Sequence, residues 1–255
     1  ASYAEEIEAH VSNMPQAYFN FRPIDSVVSH IRQFREFFLQ LVHEEAAAGL
    51  MPVMHWTDHP EQSHSELTVA CWDRRLLLAR ISGALAAENV NILSADLYQR
   101  TDNLVLDVFH VCTTNFTAVS VKSTRQRVEK AVRDAFLKRS FDFSEAIASR
   151  RKVQKEIDEM LAEVPQRVLI NNHISPFHTV VELQAVDRLG LLYDVLMAIG
   201  KLGHNVTHAR INTEKGVALD SIYVQNPAAA KVDSPSDLQQ LQQSLETVIF
   251  GRSTK

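Results

Sequence analysis

Glycine is scarce in this chain, with 7 in 255 residues, well under half of the roughly 7% share typical of globular proteins. The scarcity leaves little room for a glycine-rich phosphate loop and makes the position of each glycine informative. Cysteine is scarcer still: 2 residues cannot build a disulfide framework, which fits a reducing cytosol and a cytoplasmic location. No apolar run approaches the roughly 18 residues that a membrane span needs, and no N-terminal signal pattern is present. Positive charge is not in excess: Lys+Arg 26 against Asp+Glu 31 gives a net charge of −5. A basic footprint is therefore missing, which argues against nucleic acid as a partner, and nothing suggests a membrane. Gly-Ser, Asp-x-Asp and His-Asp pairs are absent, so no catalytic constellation is visible. What remains is an ordinary globular composition, 45% hydrophobic and 22% charged, long enough for one large domain or two to three small ones. The start, Ala1-Ser2-Tyr3 without methionine, reads as a piece of something longer.

Periodicity divides the chain. Ile24, Val27, Val28, Ile31, Phe34, Phe38 and Leu41 recur at helical steps behind Pro23, and Gly49 and Pro52 mark the end of that helix. A shorter helix is expected around Tyr3 to Asn13. Beyond Pro52 the pattern becomes strand-like at Glu66–Trp72, Leu93–Tyr98 and Leu104–Cys112, with a helix at Leu77–Leu85 between. The same order returns after residue 165. At an offset of 114, Asp73/Asp187, Arg74/Arg188, Leu77/Leu191, Leu78/Leu192, Ala84/Ala198, Asn91/Asn205 and Ala95/Ala209 are identical. After a one-residue gap in the hairpin turn, Leu106-Asp107 matches Leu219-Asp220 and Val111 matches Val224. This is an internal duplication.

Four regions follow: 1–50 a helical lead-in, 51–143 a first repeat, 144–164 a connecting helix (Ala146, Ile147, Val153, Ile157, Met160, Leu161), and 165–255 a second repeat. Each repeat reads strand, helix, strand, strand, helix, with final helices near Val121–Leu137 and Ser236–Phe250. A complete βαββαβ unit needs one strand more, yet the chain stops within five residues of Phe250. The strands at Pro52–Trp56 and Val168–Asn171, upstream of each repeat, are expected to take the vacant sheet edge.

The residues that invite a ligand are Asp187-Arg188-Leu189-Gly190-Leu191-Leu192, with Asn205 near the next strand. Glycine permits a tight or left-handed turn and a close backbone approach. The following helix N-terminus offers free N–H groups to a carboxylate. Asp187 suits an α-ammonium, and Asn205 both donates and accepts. Together they describe a pocket for a zwitterion. The alternative is structural: Asp187 caps the helix and Gly190 packs against the sheet. The first repeat carries Asp73, Arg74, Arg75, Leu76, Leu77 and Leu78, with Asn91 downstream. Leu76 stands where the second repeat has Gly190, so the first site is expected to be weakened or structural and the second to hold the better pocket.

Other candidates point elsewhere. His55, His59 and His64 form a loose cluster without cysteine partners, a spacing shared by ordinary loop histidines and by a metal site. His204 and His208 flank Asn205 and read as rim or surface residues. Cys71 and Cys112 lie on strands expected to be close, as core-packing thiols.

The Asp187–Leu192 constellation resembles the ACT domain, a small amino-acid-sensing module. The wider arrangement is similar to the C-terminal part of the bacterial bifunctional uridylyltransferase/uridylyl-removing enzymes that modify the nitrogen-signalling protein PII. That resemblance rests on Met14-Pro15-x-x-Tyr18 and His30 in the lead-in, Ser175-Pro176-Phe177-His178-Thr179 opening the second repeat, and Ala218-Leu219-Asp220-Ser221-Ile222-Tyr223 in its hairpin. It implies an α+β fold of two ferredoxin-like ACT domains, with antiparallel sheets, helices on one face and edge strands from upstream, behind a helical segment. It further implies a regulatory glutamine-sensing module in nitrogen control, with PII as partner of the full-length enzyme and homodimerisation through the ACT sheets. No catalytic residue, metal ligand or cofactor is expected in this stretch; a divalent metal such as Mg²⁺ belongs to catalytic domains that this sequence does not contain. The other readings are a stand-alone tandem ACT regulator and a dimerisation or PII-docking module without a working pocket.

Overall fold

Ser2 begins the first helix with a reciprocal cap: its hydroxyl accepts from the Glu5 N–H, and the Glu5 carboxylate accepts from the Ser2 N–H. The structure, a computed structural model, describes residues 2–43, 50–151 and 165–251. The lead-in forms α1 (Tyr3–Asn13), α2 (Gln16–Phe21) and α3 (Ile24–His43). α2 goes beyond the sequence reading, because a helix of six residues set between Pro15 and Pro23 is too short to show a period. Gly49, expected to end α3, lies outside the described residues.

The lead-in is held by buried aromatics. Tyr18 is fully buried, and its hydroxyl lies 2.8 Å from His30 Nδ1 and 3.2 Å from His10 Nε2. Burial holds both imidazoles down to about 4, helped at His10 by Arg100 and partly opposed at His30 by Glu66. Both rings are therefore neutral at pH 7, so one receives the tyrosine proton while the other donates to the oxygen. Tyr18→Phe should strand two buried ring nitrogens and cost about 1–3 kcal/mol. Urea denaturation measures this, and an unchanged midpoint would contradict the bonding scheme.

Eight strands form one antiparallel sheet among the described residues, in the order β1-β2-β4-β3-β7-β8-β6-β5. They are β1 (Val53–His59), β2 (His64–Trp72), β3 (Val90–Gln99), β4 (Leu104–Thr113), β5 (Arg167–Asn171), β6 (Thr179–Val186), β7 (Asn205–Glu214) and β8 (Val217–Gln225). The helices between them are α4 (Leu77–Ala87), α5 (Lys122–Leu137), α6 (Ser144–Arg151), α7 (Leu191–Lys201) and α8 (Pro235–Phe250). The duplication is visible in the register. Ala70 faces Val53 as Gln184 faces Arg167, so β1 and β5 do take the edges beside β2 and β6. A bulge between Ile92 and Ser94 returns between Val206 and His208. The halves join where β3 pairs with β7, and there Asp96 stands opposite Arg210, its own repeat-mate. A pseudo-twofold axis therefore passes through this junction. The side-by-side sheet pairing that motivated a homodimer is made within one chain.

α4 packs on α5 and α7, and α7 on α8, so the repeat helices share one face. α3 lies on the other face, where Gln33 donates to the carbonyls of Val53 and Thr68 and accepts from the Thr68 hydroxyl. Strand alternation then turns Val69 and its partner Asp107 toward the repeat helices. The connecting helix is present as α6 to Arg151; Val153, Ile157, Met160 and Leu161 lie outside the described residues. Cys71 and Cys112 do lie on neighbouring strands, β2 and β4, but at opposite ends of the pair. Cys71 faces Val105 at one end of the β2·β4 pair, and Cys112 follows Val111, which faces Ser65 at the other. Both thiols are free and buried. No helix among the described residues is long and apolar enough to cross a membrane.

Candidate functional site

Two homologous turns lead from strand to helix. In each, the aspartate N–H donates across the hairpin: Asp73 to the Asn103 carbonyl and Asp187 to the Gly216 carbonyl, both at 2.8 Å. The helix then starts from a left-handed residue without a side-chain cap, Leu76 at φ +58° before α4 and Gly190 at φ +75° before α7. A left-handed leucine costs roughly 1 kcal/mol or more. Packing explains its presence. A Cβ placed on Gly200 would lie 2.5 Å from Leu76 Cδ2, so the leucine occupies a notch that only glycine leaves in α7.

The duplicated arginines have structural work. Arg74 donates to the Phe136 carbonyl at 2.9 Å, and Arg188 to the Val248 carbonyl at 3.2 Å and to Asp194 at 2.7 Å. Each ties its turn to the last turn of its repeat's final helix. Arg75 crosses between the repeats to the Gly200 carbonyl at 3.1 Å.

The pseudo-twofold axis relates two cavities, and each is built from both repeats. The first, about 240 Å³, brings the Asp73–Leu77 turn and the first turn of α4 against Ile199 and Gly200 of α7, and against His204 and Thr207 at the start of β7; Asp107 lies in its wall. The second, about 30 Å³, sets Asp187, Gly190, Leu191 and Leu192 against Ala86, Asn91 and Ile92. Asn91 therefore faces the second repeat's turn, whereas Asn205 lines neither cavity and is exposed. The glycine-bearing turn borders the smaller of the two cavities. Ile147 and Arg151 of α6 fill the space beside Gly190, and the room lies at the Leu76 turn instead.

Asp107 and His204 give the larger cavity its chemistry. Asp107 is 4% exposed and its carboxylate accepts no hydrogen bond from another described residue; burial, reinforced by Asp73, pushes the carboxyl up to about 8. His204 is 5% exposed, and its Nδ1 has no partner among the described residues. Burial lowers its basicity, partly offset by Asp237, so the ring is a neutral donor or acceptor. At the mouth, Asp73 is exposed and accepts from Gln99. α4 leaves the Leu78 and Ala79 N–H groups without backbone partners, at the positive end of the helix. An ammonium beside an ionised Asp107 and a carboxylate at these N–H groups would each meet a complementary partner in the cavity. In the smaller cavity, burial raises Asp187 to about 6 and, with Asp187 adding, Asp220 to about 7.

Sequence reasoning missed Asp107, although an acidic residue repeated inside an apolar strand was its signal. It also placed His204 on the rim, and it had no means of seating α6. Of the loop histidines, His55 pairs with Glu36 at 2.8 Å, while His59 and His64 stand opposite one another on β1 and β2 with rings 4.9 Å apart. No metal-like grouping of three His, Cys, Asp or Glu side chains occurs among the described residues.

A family model described as "ACR9-like, ACT-like domain" matches residues 167–251. Those residues are an ACT-like domain. The matched span contains the Asp187–Leu192 turn, and the register shows the first repeat following the same plan. Over nearly its whole length the chain resembles proteins named bifunctional uridylyltransferase/uridylyl-removing enzyme. The one from Rhodospirillum rubrum is 31% identical, the match covering 96% of this chain and 26% of the relative. That from Bradyrhizobium diazoefficiens is 27% identical over 97% of this chain and 25% of the relative. The chain thus spans about a quarter of the length of these relatives. A solved structure of an unknown protein from Galdieria sulphuraria aligns at 16% identity and a TM-score of 0.24, covering 72% of this chain and 89% of that one.

Proposed function

We propose that this chain is the amino-acid-responsive regulatory module of a bifunctional uridylyltransferase/uridylyl-removing enzyme, with glutamine as ligand and PII as the protein partner of the whole enzyme. In this reading residues 1–50 are a lead-in, and 51–143 and 165–255 are two ACT-like units joined through 144–164. The observation that carries it is the cavity at the junction, built by both repeats and holding a buried carboxyl and an imidazole whose Nδ1 has no partner among the described residues. Its 240 Å³ is below the roughly 300–1,000 Å³ of sites for drug-sized ligands, which suits one small amino acid.

The ammonium sits at Asp107 and Asp73, the carboxylate at the Leu78 and Ala79 N–H groups, and the side-chain amide reaches His204 and Thr207. A ligand touching both repeats fixes their relative orientation. It shifts the balance between two states by its difference in affinity for them, on the order of 1–3 kcal/mol in known couplings.

Calorimetric titration with glutamine tests the reading. One molecule should bind per chain, and His204→Leu should weaken binding at least tenfold while preserving the fold. No heat with glutamine or any other amino acid would sink the proposal in favour of a purely structural or docking role.

A further inference from the structure

The lead-in holds a cavity of its own, away from the junction. It lies between α1 and α3 and holds about 350 Å³, within the range of small-molecule sites. α3 supplies an apolar wall, with Ile31 and Phe34 buried and Phe38, Leu39 and Val42 exposed along the rim. Across from it α1 contributes Ala9, too small to close the gap. Large apolar side chains exposed side by side mark a binding surface, whereas single scattered ones do not.

The cavity's lining residues also carry two polar atoms with nothing to bond. His10 is 1% exposed; its Nε2 faces the Tyr18 hydroxyl, and its Nδ1 has no partner among the described residues. Glu6 meets Arg35 through Oε1 at 3.7 Å, while its buried Oε2 has no partner among the described residues either. A buried polar atom left this way carries its desolvation cost uncompensated until a ligand meets it.

Tyr18 fixes what those atoms can do. Its oxygen lies 2.8 Å from His30 Nδ1 and 3.2 Å from His10 Nε2, and the shorter contact suits an O–H donor. Tyr18 therefore donates to His30 and accepts from the His10 Nε2–H. A neutral ring protonated at Nε2 keeps a lone pair on Nδ1. Both leftover atoms are then acceptors, and they call for a donor. The rim calls for no net charge, since Glu5 and Glu6 stand with Arg35 and Arg100.

We infer that the α1–α3 cavity is a second ligand site, which takes an uncharged apolar molecule bearing one hydroxyl. The hydroxyl meets His10 and Glu6, and the apolar body lies along Phe34, Phe38 and Leu39. No residue lines both this cavity and the one at the Leu76 turn, so the two sites are separate and this one does not depend on the amino-acid reading.

Ligand-observed NMR titration of the full chain with thymol tests it, with thymol methyl ether as the same body without a donor. Thymol should bind, and the ether should bind at least tenfold more weakly, because it leaves both acceptors unpaired. Leu39 is 48% exposed, so Leu39→Trp leaves the fold intact while its indole fills the groove, and thymol affinity should fall at least tenfold. His10→Phe should erase the preference for thymol over the ether; the comparison of the two compounds on the wild type stands even where that variant does not fold. Absence of thymol binding, equal binding of the ether, or undiminished binding to Leu39→Trp overturns the inference.

Discussion

Asp107→Asn should make the protein more stable at high pH and weaken glutamine binding at least tenfold. The Asp107 carboxyl is raised from 3.8 to about 8 by burial and by Asp73. Between about pH 4 and about pH 8 the folded chain keeps this proton and the unfolded chain does not. The unfolded state therefore binds fewer protons, and folding stability falls as pH rises through that window. Below it both states are protonated, and the stabilising contribution is complete. Asparagine has nothing to ionise, so the variant should lose this slope and be more stable at pH 9 by on the order of 1–3 kcal/mol. Glutamine affinity should drop at least tenfold, because the ammonium loses its carboxylate. In the wild type, affinity should tighten as pH rises toward 8 and Asp107 ionises more readily. Thermal denaturation from pH 5 to pH 9, paired with titration, reads both effects. A variant that is destabilised across the range, or that binds normally, contradicts this role for Asp107.

Gly190→Leu has the second large expected effect, a loss of about 2–4 kcal/mol. Part comes from a leucine at φ +75°, and the larger part from collision with Ile147 and Arg151. The first repeat tolerates leucine at the matching turn because Gly200 makes room for it; the second repeat has Ala86 in that place. Combining Gly190→Leu with Ile147→Ala should recover at least about 1 kcal/mol relative to the sum of the single changes. Guanidinium denaturation of the four proteins in the cycle measures it. Strict additivity would mean that α6 does not press on this turn.

Much of the fold was legible because the duplication repeats patterns that local physics enforces. Apolar alternation marked β2, β3 and β4, the helical period marked α3, α4 and α7, and the shared offset paired the halves. Even the edge strands were legible, as short apolar runs upstream of each repeat. α2 was not legible, since six residues between two prolines carry no period. The junction itself was only glimpsed, because nothing local specifies that β3 pairs with β7. That pairing decides the site. It carries Asn91 to the second repeat's turn and His204 to the first, whereas sequence order had suggested Asn205 beside Asp187. The glycine at 190 was read as openness, and the backbone freedom is real. Its volume, however, is claimed by Ile147, a residue that sequence alone assigns to a connector. Asp107 could have been found from the repeat, since a buried acid kept in both copies of an apolar strand has few purely structural reasons to be there.

The central claim is that one amino acid lodges between the repeats at the Leu76 turn. A crystal structure of the chain grown with glutamine tests it most directly. Density for a single ligand is expected between Asp107 and His204, with its carboxylate at the start of α4 and with α6 still seated on Gly190. An empty junction at saturating glutamine, or density beside Gly190 alone, would contradict the account.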